Sequence, residues 1–331
     1  NYFEFPYYFY DYQIKANLDI NANHRLTYSR FYGDDVLYYD FDEADNYSDS
    51  NVNVNQDFQF GIDWPWGNKT NGLTWRWIIS PELISKTFIS NSYYRFIFNL
   101  GFNQKNTYTY SDSVIAVFQN IDYNVFDKIN DNTIETEITW KADDRHEITG
   151  GFQFKDVSYD LGIGIGIETQ DTVFNFSPLG LKNKTRETSL YVQDKISYSD
   201  KLKLQLGFRA IDYNLHNKIY MDPRIGIKYH YNSDLALKLN WGIYHQFLTT
   251  ANNQDENLRL VELWMGIPAE KDASVSQHFI SGIEYMSPRN IFYRLELYSK
   301  TFDNLLTVKQ DNPNTIEEGS SDSTINEFWD T

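Results

Sequence analysis

Apolar and polar residues alternate with period two along most of the chain. From Lys201 the sequence reads KLKLQLGF, with Leu202, Leu204, Leu206 and Phe208 on one face and Lys201, Lys203 and Gln205 on the other. From Asp234 it reads DLALKLNWGIY, which groups Leu235, Leu237, Leu239, Trp241 and Ile243. Tyr12, Ile14, Ala16, Leu18 and Ile20 oppose Gln13, Lys15, Asn17 and Asp19. The pattern recurs at Leu73/Trp75/Trp77/Ile79, Tyr94/Phe96/Phe98/Leu100, Ile134/Ile138/Trp140, Ile148/Phe152/Phe154, Leu190/Val192/Ile196, Ile225/Ile227/Tyr229 and Ile291/Tyr293/Leu295/Leu297. Alternate side chains fall on opposite faces only in β-strands. The pattern predicts about twelve strands, each of roughly 9–14 residues, close to what a tilted membrane-crossing strand needs.

The connections alternate in length. Short polar turns are predicted at 21–24, 80–82, 142–145, 198–200, 232–234 and 287–290, where Asn, Asp, Ser and Pro suit tight reversals. Longer connections are expected at 33–67, 103–117, 156–184, 249–274 and from 309 onward, with a short one near 216–219. Short turns at one end and long loops at the other are the asymmetry of an outer-membrane barrel, periplasm against exterior. Aromatic groups at Tyr7/Tyr8/Phe9/Tyr10, Trp64/Trp66, Trp75/Trp77, Tyr229/Tyr231 and Tyr298/Phe302 are expected to form the interfacial girdles of such a barrel.

Composition narrows the alternatives. The 331 residues include 26 Tyr, 23 Phe, 8 Trp and no Cys, with a mean hydropathy of −0.57. Disorder does not fit so aromatic a chain. Without Cys there is no disulfide scaffold, thiolate metal site or Cys nucleophile. No apolar run reaches the roughly 18 residues of a spanning helix, whereas a β-barrel, with alternating faces, has a soluble-looking average. The acidic balance, 46 Asp+Glu against 29 Lys+Arg, and the lack of a basic run argue against nucleic acid.

Several segments resemble one family. Glu187–Ile196 (ETSLYVQDKI), a Ser-Asp turn and Leu206-Gly207-Phe208-Arg209 are similar to a hairpin of TonB-dependent outer-membrane receptors. Asp222–Tyr229 (DPRIGIKY) with Leu239-Asn240-Trp241-Gly242 resembles another. Pro268-Ala269-Glu270-Lys271, Gly282-Ile283-Glu284-Tyr285 and Leu297-Tyr298 resemble a third stretch. Ser29–Asp35 and Trp66-Gly67-Asn68 are similar to segments of the Bacteroidota branch. The resemblance implies an all-β, antiparallel transmembrane β-barrel of which 1–331 is a central slice of a 22-stranded whole. It further implies a plug domain elsewhere, energy from a TonB–ExbB–ExbD complex acting through that plug, and no enzymatic activity. The implied partners are outer-membrane lipids, a small-molecule or oligomeric nutrient, and a lipoprotein partner. A closed twelve-stranded barrel is the structural alternative. Functional alternatives are a passive porin or adhesin barrel and a soluble carbohydrate-binding β protein.

No enzyme motif is present. Gly162-Ile163-Gly164-Ile165-Gly166 lacks phosphate-loop spacing, and the alternation Leu161/Ile163/Ile165/Ile167 makes it strand or hairpin. The six His are scattered without metal-ligand spacing. Between Gly33 and Trp66 lie nine acids and no Lys or Arg. Asp40, Asp42, Glu43 and Asp45 within it form a candidate ligand-binding loop, read alternatively as an oxygen-ligand site for Ca²⁺ or a solvated surface, although the EF-hand positions are not met. Six more acids follow residue 310, and the two stretches carry 15 of the net −17. The apolar run Leu258–Met265 is expected to fold over the barrel mouth, with Trp264 and Met265 meeting ligand, plug or neighbouring loops. Lys15, Arg76, Glu135, Glu137, Lys203, Lys238, Arg294 and Glu296 are expected to face the lumen, mixed in sign.

Overall fold

A computed structural model describes residues 6–49, 51–250, 263–308 and 329–330. Twelve antiparallel strands form one sheet in the order β1-β2-β3-β4-β5-β6-β7-β8-β9-β10-β13-β14. These are β1 (Tyr7–Asp19), β2 (His24–Asp49), β3 (Val52–Ser80), β4 (Leu83–Thr109), β5 (Val114–Lys141), β6 (His146–Thr169), β7 (Val173–Ser197), β8 (Leu202–Tyr213), β9 (Ile219–His230), β10 (Leu235–Gln246), β13 (Ser274–Met286) and β14 (Phe292–Asp303). Two short pairs, β11 (Leu248–Thr250) with β12 (Trp264–Gly266) and β15 (Thr307–Val308) with β16 (Trp329–Asp330), lie outside it. Among the described residues the sheet is open, with β1 paired only to β2 and β14 only to β13. A closed twelve-stranded barrel is therefore not formed.

The predicted short turns are all present, and side chains fix several of them. Asn21 Oδ1 accepts from the N–H groups of Asn23 (2.9 Å) and His24 (3.0 Å), and Asn232 Oδ1 accepts from Asp234 (3.0 Å) and Leu235 (2.7 Å). Asp143 accepts from Arg145 (2.7 Å) and His146 (2.8 Å), and these two N–H groups hold its carboxyl below the ordinary range. Such self-bonding Asx turns reverse the chain without tertiary help.

The other end differs from expectation. β2 to β7 run for 24–29 residues, so 33–67, 103–117 and 156–184 are mostly strand joined by tight hairpins rather than long loops. Only β1, β8, β9, β10, β13 and β14, at 12–13 residues, keep the predicted length.

The two halves of the long strands reverse their amphipathic phase. Near the short turns the exposed apolar residues share the outer face: Leu73, Trp75, Trp77 and Ile79 on β3, Ile134, Ile138 and Trp140 on β5, Leu190 and Val192 on β7, and Leu237 and Leu239 on β10. A contiguous apolar band of this size is stable only against another apolar phase, here lipid. Farther along β5 the same face turns polar with Asn132, Asn130 and Lys128, and the apolar residues Ile129, Val125, Tyr123 and Ile121 occupy the inner face. β3 does the same, with Trp64 and Trp66 inward and Trp64 packed edge-on to both Phe96 and Phe98. Trp64 and Trp66 therefore belong to an inner wall above the band and not to a girdle. The girdle at the short-turn end holds Trp75 and Trp77, stacked with each other and with His24, and the outer pair Tyr285–Tyr293.

Candidate functional site

Register places charged residues in a row across the inner face. Asp19, Arg25, Arg76, Lys86, Glu137, Gly151, Tyr191, Arg209 and Asp222 are successive cross-strand partners from β1 to β9. Because barrel strands are tilted, such a row climbs the wall, here from the turn end of β1 to the far end of β9. At its centre the Tyr191 ring lies over Gly151, where a Cβ would sit 2.3 Å from Tyr191 Cζ. Its hydroxyl thereby reaches across β6 to Glu135 (2.7 Å) and Glu137 (3.2 Å) on β5. Gln153 donates to Glu135 at 2.9 Å, and Arg209 donates to Gln153 (2.6 Å) and Ser189 (2.7 Å). Amide, hydroxyl and guanidinium groups joined this way rigidify the wall and leave polar edges toward the lumen.

The lumenal residues expected from sequence lie on this face. Glu135 and Glu137 stand together on β5, while Lys203, Arg209, Arg224, Lys228 and Lys238 stand on β8 to β10. The mixed sign read along the chain persists across the wall, since Lys86 opposes Glu137 and Arg294 stands beside Glu296 and Glu284 on the β13–β14 side.

A strap crosses the inner face beyond the apolar band. Phe247 and β11 lead inward from β10, and Leu263 to Pro268 return through β12. Met265 is 2% exposed, packed among Leu161 of β6, Ile211 and Tyr213 of β8 and Tyr220 of β9. Trp264 packs on Ile129, Val157 and Tyr159, and its N–H donates to Asp127 Oδ2 of β5 at 2.5 Å. Tyr213 OH donates to Ile267 O at 2.9 Å, and the His216 Nε2 to Pro268 O distance is 3.0 Å. Gly266 permits the approach: a Cβ there would lie 2.9 Å from Thr185 Cγ2 and 3.0 Å from the Tyr159 ring. The expected folding over the mouth is thus a packed contact with the inner wall. Met265 is core, and Trp264 anchors by its backbone. Leu258 to Glu262 lie outside the described residues.

Asp127 carries the perturbed carboxyl of the strap contact. It is fully buried, and Oδ1 has no hydrogen-bond partner among the described residues. Burial pushes its carboxyl up to about 7, against the opposing pull of the Trp264 N–H. It was not among the residues expected from sequence. The signal lay in its parity, since Asp127 alternates with Val125 and Ile129 on an apolar face.

The acidic candidates are not gathered. Asp40, Asp42, Glu43 and Asp45 are exposed on strand β2, paired with Gly61, Gln59, Phe58 and Gln56. Strand geometry sends Asp40 and Asp42 to one face and Glu43 and Asp45 to the other, so no liganding loop brings the four together. No group of three or more His, Asp or Glu side chains suited to a metal occurs among the described residues. Asp34 has a structural role: 4% exposed, it accepts from Tyr10 (3.1 Å), Tyr32 (2.5 Å) and Arg95 (2.9 Å). Residues 309–328, with most of the terminal acids, lie outside the described residues. His146, His216 and His245 are spent on partners within the fold, namely Asp194 (2.7 Å), Pro268 O and Asp222 (2.6 Å).

No curated protein sequence matches the chain. Among solved structures it aligns with a mutant ferric enterobactin receptor, PfeA, from Pseudomonas aeruginosa at 9% identity, covering 91% of this chain and 54% of that one, with a TM-score of 0.44. It aligns with the siderophore receptor PirA from Pseudomonas aeruginosa at 11% identity, 91% and 57% coverage and TM-score 0.44. For the RagAB peptide transporter the values are 10%, 92%, 45% and 0.49. The chain thus spans about half the length of the solved receptors it matches. Its sequence matches the family described as TonB dependent receptor-like, beta-barrel, over residues 1–327. With twelve antiparallel strands, an apolar outer band and a charged inner face, the chain belongs to the TonB-dependent receptor-like β-barrel family.

Proposed function

We propose that this chain forms the wall of an outer-membrane receptor-transporter that binds a scarce extracellular nutrient and admits it when a TonB–ExbB–ExbD complex moves a plug domain. The observation that carries this reading is the division of one sheet into a lipid-type outer face and a charged, hydrogen-bonded inner face, in a member of this family. The open edges β1 and β14 are where further strands would pair, which fits 1–331 as part of a larger barrel. The barrel transports and does no covalent chemistry. A nutrient passing the strap meets an inner wall that is apolar above the band and charged within it, and a lipoprotein partner would approach from the strap end. The resemblance of Ser29–Asp35 and Trp66–Asn68 supports a Bacteroidota-type receptor.

The test is uptake by a strain deleted for the full gene, across ferric siderophores, cobalamin, glycans and peptides, with and without TonB. Loss of uptake of one class in both the deletion and the TonB-null strain is expected. Uptake that depends on the gene but not on TonB would leave the passive-porin reading instead.

A further inference from the structure

We propose that the inner face of β8 to β10 carries an oxyanion site, for a carboxylate or a phosphate, built on Lys203, Lys228 and Lys238. The site goes beyond the transport reading and holds for any cargo.

The three lysines are direct cross-strand partners: Lys203 opposes Lys228, and Lys228 opposes Lys238. Like charges placed directly opposite repel, here as at Arg25, Arg76 and Lys86. Here two pairs share a residue. The local counter-charge does not balance them. Glu284 of β13 takes Lys228 at 3.0 Å, Arg294 at 3.2 Å and Lys238 at shorter range, so one carboxylate serves three cations. Lys203 has no ion-pair partner among the described residues and is exposed.

Glycines flank the row, and neighbouring side chains lean over them. Gly226 stands in the next row between Gln205 and Asn240, with no side chain of its own, and a Cβ there would meet Asn240 Oδ1 at 3.0 Å. Gly282 opposes Lys238 on the far side, and its own partner Glu296 of β14 lies against it, with Cγ 3.4 Å from where a Cβ would be. A hollow of about 530 Å³ reaches Lys203, Lys228 and Lys238 at one end and Asp143, Asp144 and Glu147 at the other, where Glu147 is paired with Lys195 (2.7 Å). The Gln205 amide N–H is already given to Gln193 Oε1 (2.8 Å) and Asn240 turns its Oδ1 over Gly226, so the ammonium groups are the donors this hollow offers an oxyanion. An oxyanion seated there would accept charge-assisted hydrogen bonds and relieve the lysine repulsion.

The test is the rate of amine acylation at each lysine, followed by peptide mass spectrometry on the full-length receptor in detergent. Chloride and inorganic phosphate buffers of equal ionic strength are compared. Lys203 is expected to slow about fivefold in phosphate, the protection 1 + [L]/Kd gives at four times Kd, while Lys201 in the adjoining turn is unchanged. If Lys203 is slow in both buffers and K228Q restores a rate like that of Lys201, the oxyanion is a carboxylate of the receptor itself. If it is slow in phosphate only, the oxyanion is free. Glu284→Gln, which removes the internal competitor, is expected to deepen the protection in either case. The proposal is overturned if Lys203 follows Lys201 in both buffers, or if slow labelling persists unchanged in K228Q.

Discussion

Replacing Asp127 by Asn tests how the strap is held. The Asp127 carboxyl lies on β5 outside the apolar band, with Lys128 and Asn130 on the opposite face of the strand. Phe96 and Leu161 flank it across the neighbouring strands, and no cation among the described residues offsets its charge. Its carboxyl rises from 3.8 to about 7, and at 1.36 kcal/mol per unit the ionised form costs about 4 kcal/mol, an upper figure because local opening regains only part of the hydration. For an acid with a raised folded value, the native state binds more protons between the two values. The strap contact is therefore firmest below about pH 4, weakens as pH rises toward 7, and is constant above that. An Asn at this position still accepts the Trp264 N–H through its amide oxygen but carries no charge. Hydrogen–deuterium exchange at the Trp264 amide, corrected for intrinsic rate, reads the contact directly in the full-length receptor. Wild-type protection should fall by one to two orders of magnitude from pH 5 to 8, within the roughly thousandfold ceiling of three units. The Asn variant should show no such fall and should exceed wild type at pH 8. Wild-type protection that is flat across this range, or an Asn variant weaker at pH 8, would refute the reasoning.

Three further perturbations separate the faces and the close contacts. Gly151→Ala places a methyl 2.3 Å from Tyr191 Cζ. It should expel the ring from Glu135 and Glu137 and lower stability in urea titrations by about 1–3 kcal/mol, whereas Gly150→Ala, whose Cβ meets nothing closer than 3.7 Å, should be nearly neutral. Gly266→Ala should push the strap off Thr185 and Tyr159, read as faster proteolysis between β11 and β13 with the barrel itself intact. Val192→Arg, on the exposed outer face, should cost about 2–4 kcal/mol when the receptor is folded into bilayers, while Gln193→Arg, one residue along and inward, should stay within about 1 kcal/mol. Equal costs at the two positions would mean that the faces have been assigned the wrong way round.

The strands were legible because period two is local: KLKLQLGF needs no distant partner to show its faces. What misled was composition. The stretch from Val52 to Trp66 reads as loop by its Asn, Asp, Gln and Gly content. Yet Val54, Phe58, Phe60, Ile62, Trp64 and Trp66 all fall on even positions, while Leu73, Trp75, Trp77 and Ile79 fall on odd ones. Both runs alternate, so both are strand, and the change of parity between them falls where the outer face passes from lipid to water. Hydropathy averages cannot see that boundary, because each half contributes the same mixture of residues. Parity can, since only the face that meets lipid needs to be apolar within the bilayer, and only the inner face needs it above. The strap and the lysine cluster stayed illegible for a different reason. Met265 finds Leu161, and Glu284 finds Lys228, through register and sheet curvature that no local spacing encodes. The same logic explains the acids of 33–66. Once that segment is strand, Asp40 and Asp42 part from Glu43 and Asp45 by geometry alone, and clustering along the chain stops being evidence of clustering in space.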